Sequence, residues 1–294
     1  MIHKSERIFI LLKFYFKEKM RMKKKKVFAV LASALAFIFI TGSVWAGQLA
    51  IKGSTTVLPI AQKTVEAFMK ENPDIKISLS GGGSSNGIKA LIDGTADVAN
   101  ASRFIKDKEV KMAVDKGVYP VPFACAYDSI IPVTHPDNSL TNITTAQLKD
   151  IYTGKIRNFK EIGGPDLKIV AISRDTSSGT YETWEKKIMK KERVMPRASV
   201  MASNGAIVQA VSANKNAIGY IGIGYLNTSV KALTVDGVEG TEETTLNGQF
   251  PISRPLFMFT NGWPKGDTLK YIKFVLSPKK GQNNVSESGY VRLY

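Results

Sequence analysis

From Gly47 onward, short apolar stretches alternate with longer amphipathic ones, and this alternation constrains the fold more than any other feature of the chain. Residues 49–52 and 75–80 have the length and apolar content of strands. Between them, residues 57–70 have the period of a helix. A strand, a helix and a second strand in succession favour parallel strands in one sheet. The sequence therefore predicts an α/β protein with mainly parallel sheets.

The same alternation continues to near the C-terminus. Residues 121–133 form a long apolar run, which predicts a strand that crosses the molecule. No repeat of solenoid length and no low-complexity linker divides the chain, so two lobes would have to be joined by crossing strands. The other predicted strands are 97–100, 169–173, 217–225 and 256–260, and the other predicted helices are 85–93, 145–152, 180–190, 204–213 and the final helix, 268–276.

The first 46 residues have the composition of an export signal. Residues 23–26 are all lysine, residues 27–40 are apolar, and Val44-Trp45-Ala46 has the small-x-small pattern of a signal peptidase site. The apolar run has about 14 residues, fewer than the roughly 20 that a membrane-spanning helix requires. We therefore predict a signal peptide over residues 1–46, cleaved after Ala46, and an exported, soluble mature protein.

Charge and cysteine content exclude several classes of protein. Of the 41 Lys and Arg residues, 10 precede Gly47, as do 2 of the 25 Asp and Glu residues. The net charge therefore falls from +16 for the whole chain to +8 for the mature part. The remaining basic residues form no arginine-rich stretch, which argues against a nucleic-acid partner. The single cysteine, Cys125, cannot form an internal disulfide and is expected to be buried and to pack in the core.

Three segments combine the end of a strand, a turn rich in Gly, Ser and Thr, and the start of a helix. They are residues 52–56 (KGSTT), 81–86 (GGGSSN) and 174–180 (RDTSSGT). The first N–H groups of a helix lack intrahelical acceptors and carry partial positive charge, so such an end attracts an oxyanion. One segment of this kind is more often an ordinary cap and turn. Three in one chain indicate an anion site.

Two arginines accompany these turns. Arg174 precedes the third segment and could make a forked, charge-assisted contact with an anion, although a surface salt bridge is the alternative. A fourth segment, Asn100-Ala101-Ser102-Arg103, follows a predicted strand and places a hydroxyl beside a second guanidinium. On its own, this segment is the weaker indication.

The order of these motifs resembles the phosphate-binding protein of bacterial ABC transporters, and the chain length resembles the shorter branch of that family. The similarity covers essentially the whole mature chain. It is carried by GSTTVLP at 53–59, GGGSSNG at 81–87, NASR at 100–103, SRDTSSGT at 173–180, ASNG at 202–205, AIGY at 217–220 and PISRPL at 251–256.

That resemblance implies a two-lobed periplasmic-binding-protein fold of type II. Each lobe would be a mainly parallel sheet flanked by helices, and two crossing strands near Ala126 and Tyr225 would join the lobes. Residues 47–125 and 226–294 would form the first lobe, and residues 126–225 the second. The implied function is capture of inorganic phosphate in the cleft, followed by delivery to the membrane permease of an ABC transporter. A periplasmic monomer without a cofactor or metal is expected.

Carried over motif by motif, the resemblance implies a phosphate site built from both lobes. One departure concerns Arg103, because the longer branch of the family has an aspartate there that accepts the proton of phosphate, and an arginine cannot accept a hydrogen bond. Asp128 is the alternative acceptor, or else a carboxylate of the hinge. The expected binding residues are Ser54, Thr55, Ser84, Ser85, Ser102, Arg103, Asp128, Arg174, Ser177, Ser178, Gly179 and Thr180.

Competing functions have less support from the residues. The mature chain has one histidine, His135, and no Gly-x-Ser-x-Gly elbow, so a Ser-His-Asp hydrolase is not expected. Residues 81–87 lack the Gly-Lys-Ser/Thr ending of a nucleotide-binding loop, and no His, Cys and carboxylate cluster has metal-ligand spacing. We therefore expect a binding protein without catalytic residues. The alternatives are a binding protein for sulfate, molybdate or another tetrahedral oxyanion, an exported phosphatase, and a surface or adhesion protein.

Overall fold

The computed structural model describes Met20 and residues 47–294 of the chain. The predicted signal peptide, residues 1–46, thus lies outside the described residues apart from Met20. Residues 47–294 form one compact unit. Among the residues that are described, no helix has both the length and the apolar character needed to cross a membrane.

The first half of this unit follows the predicted alternation closely. Strand β2 has the predicted bounds, and most of the other elements end within one or two residues of the prediction. The elements are β1 (Gly47–Gly53), α1 (Leu58–Glu71), β2 (Ile75–Ser80), α2 (Ser84–Ile92), β3 (Val98–Ala101), α3 (Asp107–Asp115), β4 (Pro120–Thr134), β5 (Asn142–Ile143) and α4 (Thr145–Thr153).

The second half contains more short elements than the sequence predicts. The predicted strand 217–225 ends at Gly222 and continues as a 3-10 turn, Ile223–Tyr225. The elements are β6 (Val170–Arg174), α5 (Gly179–Lys187), β7 (Ser199–Met201), α6 (Asn204–Ser212), β8 (Ala217–Gly222), β9 (Lys231–Ala232), β10 (Thr234–Val235), α7 (Glu242–Leu246), β11 (Ser253–Asn261), α8 (Gly266–Leu276) and α9 (Gly281–Glu287).

Three helices, α3, α7 and α9, were not predicted. Helix α7 has only five residues, EETTL, and the Thr241 side chain caps it. Helix α3 buries only Glu109 and Ala113, and it begins with a capping contact in which Glu109 accepts from the Lys106 N–H at 2.9 Å. Helix α9 has the largely polar sequence GQNNVSE. The prediction that residues 268–276 form the final helix is therefore wrong, since α9 follows.

One mixed sheet of nine strands organises the described fold, in the order β2-β1-β3-β11-β4-β8-β6-β7, with β9 paired to β4. Strand β1 is parallel to β2 and β3, and β6 is parallel to β7 and β8. Strand β11 is antiparallel to both β3 and β4, and β4 is antiparallel to β8. The predicted α/β class with largely parallel strands at each end of the sheet is confirmed.

Strand β4 joins the two parallel parts of this sheet. Its first ten residues pair with β11, between Pro120 and Ser129, and residues 130–134 pair with β8 instead. The strand is therefore the crossing element predicted from its apolar run. Cys125 lies in this strand and is fully buried, and burial raises the pKa of its thiol to about 12.

Buried apolar side chains form separate clusters on either side of the crossing. One cluster contains residues between 130 and 252, centred on Trp184, whose ring stacks on Tyr220 at 4.0 Å between centroids. The other two contain buried residues between 49 and 126 and between 256 and 290. Residues 230–252, which the sequence assigns to the first lobe, contribute Val230, Leu233, Val235, Phe250 and Ile252 to the Trp184 cluster.

Candidate functional site

The N-termini of α2 and α5 meet face to face, although about ninety residues separate them in the chain. The Ser85 N–H donates to the Ser177 carbonyl at 3.0 Å, and the Ser177 hydroxyl donates to the Gly82 carbonyl at 3.1 Å. A side chain on Gly179 would collide with the Ser84 hydroxyl and lie 2.7 Å from the Ser102 hydroxyl. Glycine is therefore required at position 179 for two predicted anion-binding turns to approach each other.

A pair of serine hydroxyls lies beside this contact. The Ser84 hydroxyl accepts from the Ser102 N–H at 3.0 Å, and the two hydroxyl oxygens are 3.3 Å apart. Both side chains are buried. Because Ser84 begins α2 and Ser102 follows β3, the pair brings together the second and fourth motifs of the sequence.

The turn after β1 forms the opposite wall of the site. Gly53 has φ +138° and lies against the Asn100 carbonyl, to which the Ser54 N–H donates at 2.8 Å. The Ser54 hydroxyl accepts from the Thr56 N–H at 3.1 Å. This turn leaves the side chains of Thr55 and Thr56 buried. The Thr56 hydroxyl lies 2.7 Å from that of Thr180, so the first motif contacts the third.

Arg174 ends β6 and is 2% exposed. Its Nε donates to the Met201 carbonyl at 3.1 Å, and its Nη2 donates to the Ala202 carbonyl at 3.0 Å. Its Nη1 is buried and has no hydrogen-bond partner among the described residues. Burial lowers the pKa of this guanidinium, and the Asp175 carboxylate, 3.8 Å from Nη2, offsets that effect only in part. Burying a charged donor without an acceptor costs free energy, and an anion bound at Arg174 Nη1 would supply the missing acceptor.

The first turn of α5 supplies further donors. Ser178 is the N-cap, and its hydroxyl accepts from the Tyr181 N–H at 3.2 Å. Thr180 is fully buried. The Ser177 N–H donates to Asp175 at 2.9 Å, and the single hydrogen of the Ser177 hydroxyl is shared between that carboxylate and the Gly82 carbonyl. Ser178 and Thr180 thus line the site, whereas the hydroxyl of Ser177 is already engaged.

Arg103 has a different environment. Its Nη1 and Nη2 donate to the two carboxylate oxygens of Glu109 at 2.8 and 2.7 Å, and its Nε lies 2.7 Å from Glu182 Oε2. Burial alone would lower the pKa of Arg103, but the hydrogen bonds and charges of the two glutamates outweigh it and raise the pKa. Ser85 is part of the same cluster, because it accepts from Arg103 and donates to Glu182.

Asp128 lies at the crossing strands and is fully buried. It accepts from Arg254 Nε at 3.0 Å, from Arg254 Nη2 at 2.8 Å and from the Ile223 N–H at 3.0 Å. Burial raises the pKa of Asp128, while Arg254 acts in the opposite direction. Its oxygens are therefore occupied by groups of the hinge, which matches the alternative role that the sequence left open for this residue.

Three side chains of the site were not predicted. Thr56 contacts Thr180, Asn204 Nδ2 contacts Thr55 and Thr56 at 3.3 and 3.2 Å, and Arg254 contacts Thr180 at 2.8 Å. Asn204 begins α6 directly after the short strand β7, so it repeats the strand, turn and helix design of the other motifs. That repetition is the signal by which it could have been found. Among the described residues, no group of three or more His, Cys, Asp or Glu side chains could hold a metal ion.

Comparisons with known proteins place this chain in a family. The model of the PBP superfamily domain matches residues 43–279. The phosphate-binding protein PstS of Staphylococcus epidermidis is 36% identical over 254 residues, which cover 82% of this chain and 77% of that protein.

Two solved structures are similar to this chain in both fold and sequence. A substrate-binding protein with bound phosphate from Clostridium perfringens has a TM-score of 0.79 and 36% identity, covering 84% of this chain and all of that one. An ABC-type phosphate transport receptor from Vibrio cholerae has a TM-score of 0.68 and 31% identity, covering 83% of this chain and 99% of that one. These likenesses confirm the predicted two-lobed fold of type II.

Proposed function

The chain belongs to the PBP superfamily and, within it, to the family of PstS phosphate-binding proteins, and we propose that it captures inorganic phosphate in the cleft between its lobes. The relatives are named for binding a ligand, and the prediction that the chain is not an enzyme agrees with them. Phosphate would be held, not transformed.

A single observation carries the proposal: Arg174, at the end of β6 directly before the third anion-binding turn, has a buried Nη1 without a hydrogen-bond partner among the described residues. A tetrahedral oxyanion offers the charge and the acceptor that this group lacks. The helix N-termini of α2 and α5 add backbone donors and partial positive charge from two further directions. No covalent step is required for this role.

The hydrogen bonds divide the predicted site residues into two groups. Arg103, Ser85 and Ser177 already donate their side-chain hydrogens to protein acceptors, and Asp128 accepts from Arg254, so we assign these four to supporting roles around the site. We propose that the ligand contacts come from the remaining residues, Ser54, Thr55, Ser84, Ser102, Arg174, Ser178, Gly179 and Thr180.

The division into lobes also stays a proposal. The packing of residues 230–252 with the Trp184 cluster favours a return crossing at residues 252–254, not near Tyr225. Lobe one would then comprise residues 47–126 and 255–294. Several contacts across the cleft, such as Thr56 with Thr180 and Arg103 with Glu182, support closure of the lobes around the anion.

The setting of this activity follows from the family and from the sequence. We propose that the signal peptide directs export, that cleavage follows Ala46, and that the mature monomer works in the periplasm. The loaded protein would deliver phosphate to the permease of an ABC transporter. The names of relatives from phosphate transport systems support this partner.

Another tetrahedral oxyanion is the second candidate ligand, because one observation favours it. Asp128, the acceptor that was expected to read the proton of phosphate, is occupied by Arg254 and the Ile223 N–H. If Asp128 does not accept the proton of phosphate, the distinction from sulfate must come from another acceptor, such as a hydroxyl or a backbone carbonyl.

Calorimetric titration of the ligand-free protein with phosphate, sulfate, arsenate and molybdate at two pH values tests the proposal. We expect the tightest binding for phosphate and arsenate. Equal affinity for sulfate would reduce the claim to a general oxyanion-binding protein, and absence of phosphate binding would overturn it. Turnover of a chromogenic phosphate ester, abolished by Arg174→Ala, would instead indicate the phosphatase.

A further inference from the structure

Arg254 is buried beside the site, yet it has no hydrogen left for a ligand. Its Nε and one Nη2 hydrogen go to Asp128, and the other Nη2 hydrogen goes to the Thr180 hydroxyl at 2.8 Å. Its Nη1 donates to the Gly179 carbonyl at 3.0 Å and to the Thr183 hydroxyl at 3.2 Å. A guanidinium has five N–H donors and no acceptor. The Thr180 oxygen therefore necessarily accepts from Arg254.

Asn204 acts on the neighbouring hydroxyls from the other side. Its Oδ1 accepts from the Gly222 N–H at 3.2 Å, and a backbone amide can only donate. This contact fixes the orientation of the side-chain amide, so Nδ2 faces Thr55 and Thr56. The two hydrogens of Nδ2 are thus donated to the Thr55 and Thr56 oxygens.

These two donors determine what the Thr56–Thr180 hydroxyl pair can offer. The pair shares one hydrogen bond at 2.7 Å, which uses one of its two hydroxyl hydrogens in either direction. Arg254 and Asn204 can supply hydrogens but cannot receive them from this pair. One hydrogen of the pair is therefore always left to donate, and no acceptor within residues 47–294 forms a hydrogen bond with it.

We infer that Thr56 and Thr180 form a shared hydroxyl donor for the anion, and that Asn204 and Arg254 are positioning residues that occupy the lone pairs of this hydroxyl pair. An anion oxygen without a proton is the acceptor that the remaining hydrogen requires. Thr55 contributes in the same way, because it accepts from Asn204 and keeps its own hydrogen. This inference rests on the proposed function, since it refines how that same site holds an oxyanion.

Thr56→Val tests the shared donor, because valine has nearly the shape of threonine without the hydroxyl. We expect phosphate affinity to fall about 10- to 100-fold, the range for a hydrogen bond to a charged group. Thr56→Ser keeps the hydroxyl and should remain near the wild-type affinity. Thr64→Val is the matched control, since Thr64 is also a buried threonine but bonds the Ile60 carbonyl within α1.

A double-mutant cycle tests the positioning role of Asn204. Asn204→Ala should weaken binding in the wild-type background and should weaken it by a smaller factor when Thr56 is already valine, because the two residues act on one hydrogen. Factors that multiply independently would contradict the positioning role. Unchanged phosphate affinity in Thr56→Val, with Thr56→Ser folded and equally tight, would overturn the shared donor.

The same titrations separate this inference from the proposed function. If the wild-type protein binds molybdate or sulfate but not phosphate, and Thr56→Val weakens that binding, the shared hydroxyl donor is supported and phosphate as the ligand is refuted. If the wild type binds phosphate and the Thr56 variants bind it with the same affinity, only the shared hydroxyl donor is refuted. If no oxyanion binds the wild type, both are wrong.

Discussion

Arg174 and Arg103 look alike in the sequence, since each ends a strand or follows one beside a serine-containing turn, but their surroundings in the fold are opposite. Arg103 has two glutamates within 2.7 Å, and its guanidinium is neutralised by the protein itself. Arg174 bonds two backbone carbonyls, and within the part of the chain that the structure describes its nearest carboxylate is Asp175 at 3.8 Å and its Nη1 has no hydrogen-bond partner.

This difference separates a structural cation from one that is available to a ligand. A buried arginine with carboxylate partners holds two elements together, and here Arg103 links β3, α3 and α5. A buried arginine bonded only to carbonyls retains its charge and needs a counter-anion. We therefore expect substitutions of Arg103 to change mainly the stability of the protein and substitutions of Arg174 to change mainly its phosphate affinity.

Arg103→Met should produce the largest effect of these substitutions, a decrease in the free energy of unfolding. Removal of the guanidinium leaves Glu109 and Glu182 without their closest partner, and breaking a buried ion pair costs about 3–5 kcal/mol. Denaturant unfolding would measure this loss. Phosphate affinity, measured where the variant is folded, should change by less than tenfold in our account. A loss of affinity as large as that of an Arg174 variant would remove the distinction.

Arg174→Ala should act on binding. We expect phosphate binding to weaken by several kcal/mol, about 2–5, the range for truncating one partner of a buried charge pair. Calorimetry is the measurement, and Arg197→Ala, at an exposed arginine outside the site, is the control. Unchanged affinity would exclude Arg174 from the site.

Ser178→Ala should cause a smaller loss of binding, about 1–3 kcal/mol, from one lost hydrogen bond to the anion. Because Ser178 also caps α5, its loss should lower stability as well. Ser203→Ala removes a similar cap, that of α6, and serves as the control for this second effect. Equal affinity losses in both variants would mean that Ser178 acts only as a cap.

Glu182→Gln should have the smallest effect, about 1 kcal/mol on phosphate affinity. Glu182 lies on α5 and pairs with Arg103 and with Lys106, both at 2.7 Å, from the other side of the cleft. The change removes a charge contact that favours closure, so the loss should shrink at high salt. Glu185→Gln, on the same helix, is the control. An effect that does not depend on salt would argue against the ion pair.

Much of the fold could be predicted from the sequence because most strands and helices have a clear apolar period and are bounded by turn residues. Residues 75–80 are a strand with the predicted bounds, and the long run at 121–133 is the crossing strand β4. Helices α3, α7 and α9 were missed because α3 exposes most of its side chains and α7 and α9 have largely polar sequences, so capping and local packing determine them. The packing of residues 230–252 depends on contacts far apart in the chain.

The sequence predicted which motifs form the site, but it did not predict the hydrogen-bond partners of the individual side chains. The glycine and serine turns meet because the strands before them run in opposite directions on the two sides of β4. Strands β1, β2 and β3 are antiparallel to β6, so the two sets of carboxyl ends face each other. The sequence could not distinguish Arg103 from Arg174, because Glu109 and Glu182 reach Arg103 only after α3 and α5 have folded. For the same reason, the contact of Arg254 with Asp128 and Thr180, across about 126 and 74 residues, left no local signal.

A crystal structure with arsenate, located by the anomalous scattering of arsenic, tests the central claim most directly. Arsenate has the shape and charge of phosphate, so its position identifies the residues that hold the anion. The account predicts one arsenic site within hydrogen-bonding reach of Arg174 Nη1 and the N-termini of α2 and α5, with Arg103 still bound to its two glutamates. Arsenic bound by Arg103, or absent from Arg174, would contradict it.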